Sequence, residues 1–169
     1  WYRPDGKKYS DDERTTLLNP KTIATVVDRV RATREAVGDD VDIIMENHSL
    51  TDAQSAVQLA KAVEPFNIFY FEEPNTPDSH TAKYISEKTN IPIANGERIY
   101  TRWQYNKFFE NNTIQVAQPD IGTCGGITEV KKVCDLAYIY DVAIQLHVSG
   151  SPLSTAAALQ VEATIPNFI

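Results

Sequence analysis

The chain has 169 residues, enough for one domain and short for two. Acidic residues outnumber basic ones by 23 to 16, giving a formal net charge of −7, which argues against nucleic acid or an anionic membrane as the main partner. The 42% hydrophobic and 23% charged content is that of a globular domain, and no apolar run approaches the roughly 18 residues of a membrane span. Residues 1–19 do not read as a signal peptide. Cys124 and Cys134 have neither CxxC spacing nor a secretory context, so the expectation is a cytoplasmic protein with reduced, packing cysteines.

Residues 1–19 carry Pro4, Asp5-Gly6 and a charge run around Asp11 to Arg14 without periodicity, and read as a loop leading into a domain over 20–169. The opening Trp1-Tyr2 reads as a cut through a longer chain. A helix is expected from Pro20, with Asn19 as cap, an apolar stripe of Ile23, Val26, Val27 and Val30, and Gly38 as stop. A strand follows over 41–45, then a helix over 51–63 capped by Thr51, and a strand over 66–71. Further along come a helix over 77–88, a strand over 91–94, a helix over 102–109 and a strand over 113–117. Ile127, Val130, Val133, Cys134, Ala137 and Tyr138 form another helical stripe, before a strand over 142–146 and an Ala-rich helix over 154–162.

Strands separated by single helices are parallel and joined by right-handed crossovers, and near-continuous apolar strands suit a sheet covered on both faces. That leaves a doubly wound open sheet or a (β/α)8 barrel. No turn carries G-x-G-x-x-G, and the Gly125-Gly126 pair alone is a tight-turn signal, so the barrel is favoured. With about five βα units the barrel is incomplete: α/β, TIM type, lacking closing strands.

An ionisable residue ends each expected strand: Glu46, Glu72, Glu97, Asp120 and His147 recur once in every 23 to 27 residues. In a parallel barrel these ends face one mouth, where active sites are built. Each residue singly reads as a solvated side chain or a cap; the recurrence is what points to a site. Neighbouring strands lie about 4.8 Å apart, so three carboxylates on consecutive ends repel unless a cation neutralises them. A hard ion such as Mg2+ takes oxygen ligands at about 2.0–2.1 Å, which makes Glu46, Glu72 and Glu97 candidate ligands. Of the Glu72-Glu73 pair only one can face the mouth. His48, two residues past Glu46, shares that inward face if the strand continues. Asp120 can orient His147 as a carboxylate partner does, and two proton-transfer groups flanking a metal suit proton abstraction coupled to leaving-group protonation. Arg98 can clamp a substrate carboxylate or pair with a neighbouring acid. His80, among Asp78, Ser79 and Thr81, reads as an exposed surface residue.

The segments Glu46-Asn47-His48, Phe71-Glu72-Glu73-Pro74, Ala94-Asn95-Gly96-Glu97-Arg98, Gln118-Pro119-Asp120, Gly125-Gly126 and Leu146-His147 resemble the enolase superfamily. Within it they are most similar to the mandelate racemase subgroup and its sugar-acid dehydratases of the D-galactonate type. The resemblance implies strands three to seven of the family barrel, with Mg2+ on Glu46, Glu72 and Glu97. It implies His147, with Asp120, as the base that removes the proton α to a carboxylate through a metal-stabilised enediolate. His48 becomes the acid that protonates the departing 3-hydroxyl, so that an aldonate such as galactonate yields a 2-keto-3-deoxy acid. A homo-oligomer is implied for the full-length form. Glu46 stands where the galactonate-type pattern has Asp, and Val148-Ser149-Gly150-Ser151-Pro152 replaces Cys-Pro-Leu-Gly-Pro. The family's capping domain and eighth strand are not expected in this chain. The alternatives are a racemase or epimerase of a 2-hydroxy acid, and a catalytically silent fragment.

Overall fold

Local chemistry accounts for the first helix. In the computed structural model, which describes Lys7 and residues 17–169, helix α1 spans Pro20–Val37. Its Asn19 side chain accepts from the Thr22 N–H at 3.0 Å, and Gly38, at φ 76°, ends it by donating its N–H to Arg34 O. Arg34 reaches back across the layer, donating to Phe66 O at 3.0 Å and Asn67 O at 2.9 Å, which pins α1 to the entry of the second strand. The expected leading loop lies almost wholly outside the described residues.

The order then runs β1 (Ile43–Glu46), α2 (Ala53–Val63), a 3-10 turn (Glu64–Phe66), β2 (Ile68–Glu72), α3 (Ser79–Ser86) and β3 (Ile93–Asn95). It continues with α4 (Thr101–Glu110), β4 (Val116–Ala117), α5 (Gly126–Ile139), β5 (Ala143–Ile144) and α6 (Pro152–Glu162). Every expected element is present, the strands shorter than their apolar runs. The cap of α2 differs from expectation: Asp52 accepts from the Ser55 N–H at 2.9 Å, whereas Thr51 is buried and donates its hydroxyl to Pro74 O at 2.7 Å. Two cap-forming residues stand side by side there, and the inner one is drawn into the link with the β2 exit.

The five strands pair in sequence order β1-β2-β3-β4-β5, all parallel. Glu46 stands opposite Glu72, Glu72 opposite Ala94, Ala94 opposite Val116, and Val116 opposite Ala143. Because side chains alternate faces, one face presents Tyr70, Ala94, Val116 and Ala143 as a small cluster of their own. The other sends Met45, Phe71, Ile93, Ala117 and Ile144 into the main core beneath the helices. Two unequal cores, one on each face, define the wall of a (β/α)8-type barrel, here five strands of it.

One further contact lies past β5, an isolated bridge rather than a strand. Phe168 bridges Ile144 in parallel, with Ile144 N–H donating to Asn167 O at 2.8 Å and Ile169 N–H donating to Ile144 O at 3.1 Å. So short a stretch after Pro166 shows no alternation in the sequence; only pairing to β5 defines it.

Gly96, just past β3, lets two strand ends close on each other. A Cβ there would lie 2.1 Å from the Gln118 carbonyl carbon and oxygen, backbone atoms that cannot rotate away. Gly96→Ala is therefore expected to cost about 3 kcal/mol, the upper end of overpacking costs. A urea midpoint unchanged from wild type would contradict this close approach.

Candidate active site

Glu46 and Glu72 end paired strands, Glu97 and Arg98 follow β3, Asp120 follows β4 and His147 follows β5. Asp120 and His147 form a further parallel bridge, so the backbone itself aligns them. His147 Nδ1 lies 2.8 Å from Asp120 Oδ2, as expected, and its Nε2 lies 2.8 Å from Glu97 Oε2. Asp120 is secured in turn by the Gly122 N–H, which donates to Oδ1 at 2.7 Å. The imidazole is thus set by carboxylates on the two preceding strand ends.

The strand does not continue to His48. β1 stops at Glu46, and His48 and Ser49 take φ values of 51° and 57°, turning the chain away. His48 still reaches the site: its Nε2 is 3.6 Å from Glu97 Oε1 and 3.2 Å from Arg98 Nη2, while its side chain is 57% exposed. His80 is exposed, as expected, and lines a cavity with Arg98 and Lys107.

Glu72 carries the electrostatic signature of the mouth. Burial pushes its carboxyl upward, a hydrogen bond with Gln118 and the nearness of His147 oppose the shift, and Glu46 and Glu73 add to it. Carboxylates held side by side on adjacent strands are the hard oxygen donors a divalent cation takes, and a cation would relieve this repulsion. Glu46, Glu72 and Glu97 thus offer the kind of oxygen donor that Mg2+ takes. As they stand, no group of three His, Cys, Asp or Glu side chains among the described residues is gathered closely enough to hold an ion; the Glu97 carboxylate is turned onto Arg98 and His147.

Arg98 pairs with acids on both sides. Its Nη1 contacts Glu97 Oε1 and lies 3.0 Å from Glu73 Oε2. Arg102 pairs with Glu129 at 3.5 Å, away from the mouth. Sequence reasoning missed Glu73, which is 1% exposed, and Gln118, whose Oε1 is buried without a hydrogen-bond partner. The doubled Glu72-Glu73 was the one signal for the former: strand alternation sends the second carboxylate away from the mouth, and a buried carboxylate needs partners there.

Fold and site together define the class: residues 8–169 match the family described as "Enolase C-terminal domain-like", and the chain belongs to it. Its relatives include the D-xylonate dehydratase of Haloferax volcanii, 34% identical over 167 residues that cover 98% of this chain and 40% of that protein. The D-galactonate dehydratase of Variovorax paradoxus is 33% identical over 160 residues, covering 94% of this chain and 42% of that one. The crystal structure of an enolase-superfamily member from Salmonella Typhimurium superposes with a TM-score of 0.93 at 48% identity, covering 98% of this chain and 42% of that chain. The chain spans about two fifths of the length of these relatives. No helix among the described residues is long and apolar enough to cross a membrane.

Neither cysteine belongs to the site. Both are buried and free, and burial pushes both thiols up, Cys134 to about 12. At pH 8 both stay protonated, so a thiol reagent such as Ellman's should label neither until denaturant is added; rapid labelling of the native protein would contradict this packing.

Proposed function

We propose that the protein dehydrates a sugar acid, an aldonate such as galactonate, to the 2-keto-3-deoxy acid. The observation that carries this reading is the His147–Asp120 pair, at 2.8 Å, facing the Glu97 carboxylate at the end of the carboxylate row. Two relatives named for sugar-acid dehydration support it.

With its Nδ1–H donating to Asp120, His147 has Nε2 left to act as the base once the Glu97 carboxylate, 2.8 Å away, turns from it. Nε2 takes the proton α to the substrate carboxylate, and the C–H electron pair moves toward that carboxylate. Mg2+ held by Glu46, Glu72 and Glu97 would supply the positive charge that offsets the negative charge gathering there. Arg98, on the same side, can hold a carboxylate or hydroxyl of the substrate. The electron pair then returns to form the carbon–carbon double bond as the β-hydroxyl departs as water with a proton from His48. The resulting enol becomes the 2-keto acid, so one water is lost and no oxidant or reductant is needed. His48 is what favours dehydration over racemisation, since exchange of one α-proton expels nothing.

With sugar acids and Mg2+, His147→Ala should lower both keto-acid formation and α-hydrogen exchange in D2O by about 10²–10⁴-fold, the range for a lost acid–base group. His48→Ala should abolish keto acid while exchange persists. Loss of exchange in His48→Ala alone would reverse the two roles. Exchange without keto product from every acid tried with the wild type would favour the racemase or epimerase.

A further inference from the structure

We propose that Glu73 is a positioning residue, its buried carboxylate holding Arg98 and the His48-Ser49 turn in place at the mouth. The inference rests on the dehydratase reading and extends it to a buried residue beside the mouth.

Glu73 lies one step past β2, on the side opposite Glu72, and is 1% exposed. Its φ of 43° is in the left-handed region that non-glycine residues seldom occupy, so its surroundings must hold it there. The carboxylate gathers groups from two flanking strand ends. From beyond β3, the Gly96 N–H donates to Oε1 at 3.0 Å and Arg98 Nη1 donates to Oε2 at 3.0 Å. From beyond β1, the Ser49 hydroxyl contacts Oε2. Its backbone does the same work: Ser49 N–H donates to Glu73 O at 2.8 Å, and Glu73 N–H donates to Ala94 O at 2.8 Å.

Both routes lead to His48. Arg98 Nη2 stands 3.2 Å from His48 Nε2, and Ser49 is the next residue in the same left-handed turn. Arg98 also touches Glu97, so an unheld guanidinium would be free to settle entirely on that carboxylate. A buried carboxylate on the far side divides the pull and fixes the fork in one orientation. Glu73 makes no direct contact with His147: the route there runs through Arg98 and Glu97, while Asp120 holds the ring directly at 2.8 Å. Glu73 should therefore govern expulsion of the hydroxyl more than removal of the α-proton.

The test is Glu73→Gln, nearly isosteric and still an acceptor for Gly96, assayed at saturating sugar acid with Mg2+. The ratio of keto-acid formation to α-hydrogen exchange should fall at least tenfold. A purely structural Glu73 would lower both rates in proportion, and an unchanged ratio overturns the proposal. Ser49→Ala, which removes the hydroxyl's contacts with Glu73, Asn75 O and Arg98 but keeps the Ser49 N–H bond to Glu73 O, should lower the same ratio about threefold, and it decides the matter should Glu73→Gln fail to fold. A readout independent of turnover is 15N NMR of Arg98: resolved Nη signals in the wild type, from hindered rotation, should coalesce in Glu73→Gln. Wild-type protein yielding neither keto acid nor exchange would count against the dehydratase reading alone, whereas resolved Arg98 signals persisting in Glu73→Gln would count against this one.

Discussion

Parallel register is the constraint on which the rest depends. Since every strand runs the same way and pairs with its sequence neighbour, whatever residue ends a strand is delivered to one rim, about 4.8 Å from the end of the next. Glu46 opposite Glu72 is the direct product of that register, and it forces like charges together where burial already disfavours them. A fold has no reason to concentrate carboxylates in this way for stability, because each unneutralised neighbour raises the cost of ionising the others. Under the proposed function, the positive charge that offsets this row would be brought by a bound cation.

The two histidines are placed around that rim in a way that separates two tasks. His147 is set by Asp120 through both a side-chain contact and a backbone bridge, leaving one ring nitrogen directed at the carboxylate row. His48 sits on a turn at the opposite flank, tied to β2 and β3 through Ser49 and Arg98. Carboxylates orient each partner from outside the mouth: Asp120 for the one, Glu73 for the other by way of Arg98. Two proton-transfer groups with separate supports can be displaced independently, as an acid and a base of one reaction require.

Much of this was legible in the residues because the decisive signals are local. Asn19, Pro20 and Gly38 bound the first helix, since capping is chemistry among residues within a turn of one another. The spacing of the acids likewise reports the βα repeat. Strand lengths were not legible: the apolar run over 113–117 pairs only across Val116–Ala117, because pairing depends on a neighbour distant in sequence. Neither was the turn at His48, where two non-glycine residues adopt positive φ under restraint from Glu73. Phe168 bridges Ile144 for the same reason, recruited by β5 rather than by any pattern of its own.

The central claim is that Glu46, Glu72 and Glu97 share one divalent ion. Anomalous diffraction from crystals grown with Mn2+ in place of Mg2+ tests it most directly. The account predicts a single strong peak within coordination distance of all three carboxylates, with Glu97 drawn away from Arg98. Well-ordered side chains with no peak among them, or a peak bound elsewhere on the protein, would contradict it.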